Sequence, residues 1–139
     1  MAIEAAKLVL DTSAYSHFRR GDTRVADAIA AAATVFIPAI VLGELEAGFT
    51  LGNRTKDNRA VLSEFLNEVF ISIVPVSTTV ANHYGRLFAE LRRAGTPVPT
   101  NDIWIGATVL DVGGQLLTFD SDFLYLRSVP STVLDAAVL

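Results

Sequence analysis

Apolar positions along this chain follow two alternating rhythms. Five short runs, "KLVL" (7–10), "TVFIP" (34–38), "SIVPV" (72–76), "QLLTF" (115–119) and "STVLD" (131–135), are too short for helices and lack regular polar alternation, as expected of strands covered on both faces. They predict a parallel sheet. Helical patterns fall between them. The stretch after Asp11 is hydroxyl-rich and helix-like, and "PAIVLGELEAGF" follows the second strand in helical form. Thr55 can cap a helix over 55–70 whose apolar positions Val61, Leu62, Phe65, Leu66, Val69 and Phe70 recur at helical spacing. Ser77 or Thr78 opens the next, with Val80, Tyr84, Leu87, Phe88 and Leu91 on one stripe, His83, Arg86, Glu90 and Arg93 on another, and a stop at Gly95. A last helix runs from about Thr100 to Val112 and ends at Gly113 and Gly114. Strand and helix in alternation predict a three-layer α/β/α sandwich around a central, mainly parallel five-stranded sheet, joined by right-handed crossovers.

In open α/β sheets, crevices form at the carboxyl ends of the strands. Asp11 stands at such an end, directly after "KLVL", and Asp120 follows "QLLTF" in the same way, within "TFDSDF". Asp102 falls in the first turn of its helix, after "TPVPTN", and Glu44 shares a helix face with Ile40, Val41, Ala47 and Gly48. The four acids are expected to meet in one cleft. Each also has a plain structural use: Asp11 as a helix cap, Asp102 against the helix dipole, Asp120 and Asp122 as turn residues. Glu44 is harder to dismiss, because an unpaired buried carboxylate neutralises or finds a cation. Glu46 has apolar neighbours too, so the helical wheel leaves the choice between the two glutamates open. Carboxylates about 4 Å apart repel by several kcal/mol at an effective dielectric of roughly 20. A cleft that gathers them calls for a cation. Oxygen donors without cysteine favour Mg2+ or Mn2+, which keep positions for water and phosphate oxygens.

Length and composition narrow this further. The 139 residues contain no linker, low-complexity tract or repeat, which predicts one domain over residues 1–139. Fifteen acids against eleven bases give a net charge of -4, which argues against unaided general binding to nucleic acid. Cysteine is absent, which removes disulfides, thiolate metal sites and a cysteine nucleophile. No apolar run suits a signal peptide, and the longest apolar stretch, Val35 to Gly43, is far short of the ~20 residues of a membrane helix. A soluble, unprocessed, cytoplasmic protein is expected. With 51% hydrophobic residues the chain carries an apolar excess, and the 55–70 helix has more apolar positions than one face needs, which suggests a self-associating surface.

The segments "LVLDTSA", "IPAIVLGELEAG", "GTPVPTNDIWIGATVLDVGG" and "LLTFDSDF" together resemble the PIN-domain ribonucleases, most of all the VapC-type toxins of toxin–antitoxin pairs, over nearly the whole chain. The resemblance implies Mg2+- or Mn2+-dependent cleavage of RNA with one or two ions, a homodimer, and an antitoxin that covers the site. An antitoxin arginine would match the carboxylates in charge and forked geometry. The resemblance also implies that Asp11, Glu44, Asp102 and Asp120 are the catalytic, metal-holding acids, with Asp122 as a second candidate beside Asp120. Thr12, Ser13, Asn101 and Thr118 stand next to them as supporting polar groups, although capping and turn formation suffice for Ser13 and Asn101. Arg19, Arg20, Arg86 and Arg93 are candidates for guiding RNA phosphates, and Arg92 belongs to the same group although a solvated helix face is the favoured reading for it.

Other phosphate chemistries fit less well. A haloacid-dehalogenase-type phosphatase needs an aspartate where Ser13 stands, a metal-dependent adhesion site needs serine where Tyr15 stands, and no P-loop is present. A metal-free ribonuclease would use His17 and His83, both expected to be exposed on helices. A catalytically silent binding protein on the same scaffold is the alternative from another class, its acids recruiting a basic partner.

Overall fold

The computed structural model describes residues 2–136. Strands β1 (Lys7–Leu10), β2 (Thr34–Pro38), β3 (Ile71–Val74), β4 (Gln115–Thr118) and β5 (Ser131–Val133) form one sheet in the order β3-β2-β1-β4-β5. Every neighbouring pair is parallel. Helices α1 (Thr12–Arg19), α2 (Thr23–Ala31), α3 (Ala39–Leu51), α4 (Thr55–Leu66), α5 (Thr78–Ala94) and α6 (Thr100–Val112) complete the expected α/β/α arrangement, with a 3-10 turn at Ser121–Tyr125. Leu8, Val9 and Leu10 of β1 and Leu116 and Leu117 of β4 are buried at the centre of the core.

The order of strands explains where a crevice opens. The chain builds outward from β1 through β2 to β3, then returns to add β4 and β5 on the other side of β1. This reversal puts the topological switch point between β1 and β4, where ligand crevices form. Asp11 follows β1 and Asp120 follows β4, so the switch point is flanked by acids.

Several boundaries differ from the sequence expectation. The helix expected over 55–70 ends at Leu66, where Asn67 N–H turns back to the carbonyls of Ser63 and Glu64, and Val69 is fully exposed. Its last apolar positions serve a turn instead. β3 runs over 71–74 rather than 72–76, because Pro75 has no N–H to continue the ladder. As an edge strand it is not covered on both faces, and Ile73 is exposed. β4 stops at Thr118 rather than 119, since Phe119 N–H leaves the sheet for Ser13 Oγ. β5 ends at Val133 rather than 135. Helix α2 was not anticipated, although Asp22 caps it and Val25, Ala28 and Ile29 are buried at helical spacing. Gly95 and Gly113 end α5 and α6 in the left-handed conformation, both at φ 68°, as the sequence suggested. Gly106 serves packing: a Cβ there would meet Leu126 Cδ1 at 3.0 Å, so α6 approaches its neighbours closely only with glycine.

Candidate active site

Register brings the first two partners together. Leu10 pairs with Leu117, so the next residues, Asp11 and Thr118, emerge side by side from the sheet. Thr118 Oγ1 donates to Asp11 Oδ2. Ser13 Oγ (2.7 Å) and Ala14 N–H (2.8 Å) both donate to Asp11 Oδ1. Asp11 therefore caps α1, as its plain structural use predicted, and still has lone-pair capacity left on Oδ2 for a further partner. Ser13 does not cap the helix: its hydroxyl donates to Asp11, accepts Phe119 N–H at 2.9 Å and so ties α1 to the end of β4. Burial, with the Asp120 charge added, holds the Asp11 pKa above its ordinary value even though the bonds from Thr118, Ala14 and Ser13 oppose the rise.

The opposite bank comes from α3 and α6. Glu44 Oε1 accepts from Thr12 Oγ1 at 2.6 Å and its Oε2 accepts from Asn101 Nδ2 at 3.4 Å. Glu46, which the helical wheel could not separate from Glu44, is instead paired with Arg59 Nε at 2.6 Å on the surface. Asp102 sits in the first turn of α6 and is buried, 8% exposed. Among the described residues its Oδ2 is a buried side-chain oxygen with no hydrogen-bond partner.

Asp102, Asp120 and Asp122 bring carboxylate oxygens within 4.8 Å of one another. At that separation each ionised pair repels by about 3 kcal/mol for an effective dielectric of roughly 20. Burial, with the charges of Asp120, Glu44, Asp122 and Asp11 added in that order, pushes the Asp102 pKa up to about 7. A helix N-terminus favours a carboxylate by only about 0.3–1 kcal/mol, so burial and crowding win. Asp120 also caps the 3-10 turn, its Oδ1 accepting Asp122 N–H at 2.9 Å. Among the described residues no lysine or arginine forms an ion pair with any of the five acids.

These observations test whether a divalent cation suits the site. An orphaned buried oxygen, two further carboxylates within 4.8 Å, and spare lone pairs on Asp11 and Glu44 are what an oxygen-preferring cation needs. The donor set fits Mg2+ or Mn2+, and it contains no nitrogen or sulfur.

The remaining sequence candidates lie apart from these contacts. Arg19, Arg20, Arg86 and Arg93 are exposed and bond to none of the five acids. The expectation that both histidines are exposed needs correction. His17 is half-buried, stacked on Phe119 with ring centres 3.6 Å apart and its Nδ1 engaged with the Ser13 carbonyl. His83 is half-buried too, with Nε2 at 3.8 Å from Asp111. Neither helical pattern signalled these aromatic and acidic partners, because both come from distant segments. Among the described residues no helix is long and apolar enough to cross a membrane.

Comparison with known proteins gives a consistent picture. Residues 8–128 match the PIN domain family. The chain is 26% identical over 102 residues to ribonuclease VapC2 of Rickettsia felis, covering 73% of each protein. It is 28% identical over 93 residues to ribonuclease VapC4 of Mycobacterium tuberculosis, covering 67% of this chain and 72% of that one. The fold superposes on a chain of the crystal structure of VapBC2 from Rickettsia felis bound to a DNA fragment from their promoter. The TM-score is 0.80 at 23% identity, with 93% of this chain and 99% of the other covered.

Proposed function

This chain belongs to the PIN-domain family, and from that premise we propose that it is a metal-dependent endoribonuclease, the toxin of a VapBC-type toxin–antitoxin pair. The buried, unpartnered Oδ2 of Asp102, a residue whose carboxylate gathers with those of Asp120 and Asp122, carries this reading. Asp102, Asp120 and Asp122 would hold Mg2+ or Mn2+, with Asp11 and Glu44 at the border of the same cleft. When bound, such an ion supplies an activated water and charge neutralisation at a phosphodiester. The chain's own contribution is position: Thr118 and Ser13 fix Asp11, while Thr12 and Asn101 fix Glu44. With two acids in reach after β4, Asp120 is committed by one oxygen to the turn, and Asp122 carries no such bond, so both are assigned to the cation.

The relatives named VapC are ribonucleases, which supports RNA as substrate. A cleft rich in carboxylates suits inhibition by an antitoxin arginine, whose guanidinium matches them in charge and shape. Exposed Leu51, Val69, Ile73 and Val76 support association of two copies. The half-buried, stacked state of His17 counts against a histidine acid–base pair.

Incubation of the purified protein with RNA and Mg2+ or Mn2+, followed by end-mapping of the fragments, tests the proposal. Hydrolytic ends, loss of cleavage in excess EDTA and an inactive Asp102→Asn variant are expected. Cleavage that persists in EDTA and leaves cyclic-phosphate ends would overturn it.

A further inference from the structure

The segment that carries Asp120 and Asp122 needs an anchor. Its acids crowd Asp102 and, burial aside, Asp120 is the charge that acts most strongly on Asp102. Without a cation this repulsion pushes the segment away from α6. The 3-10 turn that follows is only five residues long, and such turns have poorer hydrogen-bond geometry than an α-helix. The hold must come from elsewhere.

It comes from α1. His17, one turn after Ser13, lays its ring on that of Phe119, with centres 3.6 Å apart and planes 8° from parallel. Its Nδ1 lies 2.9 Å from the Ser13 carbonyl. A carbonyl only accepts, so Nδ1 carries the proton and the ring is fixed in orientation as well as in place. The main chain of Phe119 is held by the same turn of helix, its N–H donating to Ser13 Oγ at 2.9 Å, and the next N–H, of Asp120, donates to Thr118 Oγ1 at 2.9 Å. From α2 the Arg24 guanidinium, itself tied to Asp22 at 2.8 Å and to the Asp135 carbonyl at 2.9 Å, stands 5.5 Å from the Phe119 ring centre. Phe119 is thus gripped by ring and backbone where the chain leaves β4 for the two acids.

We infer that His17 is a positioning residue: by stacking on Phe119 and bonding to Ser13 it keeps Asp120 and Asp122 docked against the repulsion of Asp102, so that a divalent cation meets acids already assembled. The inference rests on the cation-dependent reading above and deepens it by naming what holds the acids together before the ion binds. Because the cation needs the acids together, its apparent affinity falls with the fraction of chains in which the segment is docked. His83, half-buried on α5 with Asp111 as its partner, serves as the control.

The test is amide hydrogen exchange of the metal-free full chain together with calorimetric Mn2+ binding. His17→Ala should speed exchange of the Phe119 and Asp120 N–H groups by roughly three- to tenfold, as the loss of one aromatic pair implies, and leave the β1 amides unchanged. It should weaken Mn2+ binding about tenfold, as lost outer partners do, and slow RNA cleavage at limiting Mn2+ while sparing kcat and KM at saturating Mn2+. His17→Phe, which keeps a ring on Phe119, should recover most of both losses. Phe119→Leu should reproduce them, with little further loss in the double variant. His83→Ala should change neither. Unchanged exchange and affinity in His17→Ala would overturn the inference, as would acceleration spread equally to β1, no recovery in His17→Phe, or equal losses in His83→Ala. If His17→Ala does not fold, Phe119→Leu decides, and parental exchange and affinity there overturn the inference. If the unaltered chain binds no Mn2+ while exchange still rises in His17→Ala and recovers in His17→Phe, the cation reading fails and the anchoring role of His17 stands.

Discussion

The two banks of the acidic cleft are finished in different ways. On the β1–β4 bank, Asp11 is buried yet each of its oxygens accepts a hydrogen bond, from Thr118, Ser13 and Ala14. On the α6 bank, Asp102 is also buried, though less deeply; its Oδ2 has no partner, and its carboxylate lies within 4.8 Å of those of Asp120 and Asp122. Burial raises both pKa values, but only on the first bank do hydrogen bonds oppose it. Folding alone completes the Asp11 bank. The Asp102 bank is left in a state that costs free energy until something positive arrives.

Substitution should separate the banks sharply. Asp102→Asn removes an oxygen proposed to hold the cation and should reduce the initial rate of RNA cleavage by more than the ~10–100-fold typical of lost outer partners. The same change relieves repulsion, so the metal-free variant should melt higher than the parent. Asp11→Asn should also abolish cleavage, but it disturbs a buried hydrogen-bonded cap and should cost about 1–3 kcal/mol of stability. A denaturant titration of both variants shows whether they diverge in this way. Equal destabilisation would erase the distinction between the banks.

Acidity sharpens the comparison next. Asp102 titrates at about 7 in the folded chain against 3.8 as its ordinary value, so the folded form holds an extra proton between them. The stabilisation this brings is complete below the lower value and disappears as pH rises through the upper one. Metal-free protein should therefore melt at a higher temperature near pH 6 than near pH 8, to a degree that Asp102→Asn reduces. Saturating Mn2+ should oppose the trend, because the cation takes the deprotonated carboxylate.

Smaller effects are expected at the supports. Thr12→Ala leaves Glu44 with only its long contact to Asn101, and a loss of roughly tenfold in cleavage with little change in melting is expected. Glu46→Gln breaks an exposed pair with Arg59, worth about 0–1 kcal/mol, and should leave cleavage unchanged. A large catalytic loss there would mean that the wrong glutamate has been placed in the cleft.

Much of this was legible in the sequence because the relevant signals are local. "KLVL" before Asp11 and "QLLTF" before Asp120 announce buried parallel strands with acids at their ends, and the glycines after α5 and α6 announce helix stops. What escaped the sequence depended on partners far along the chain. Glu44 and Glu46 have similar helical neighbours, and only the tertiary positions of Thr12 and Arg59 tell them apart. His17 looked exposed because the ring that covers it, Phe119, follows β4, far along the chain but next to β1 in the sheet. The 55–70 pattern overran because Val69 and Phe70 continue an apolar rhythm into a turn, where burial no longer follows the helical period.

Calorimetric titration of Mn2+ into the purified chain near pH 7, in two buffers of different ionisation enthalpy, addresses the Asp102 bank most directly. Binding accompanied by proton release, with both weakened in Asp102→Asn, is the predicted result. Absence of Mn2+ binding to the unaltered chain, or identical binding by the variant, would contradict the account.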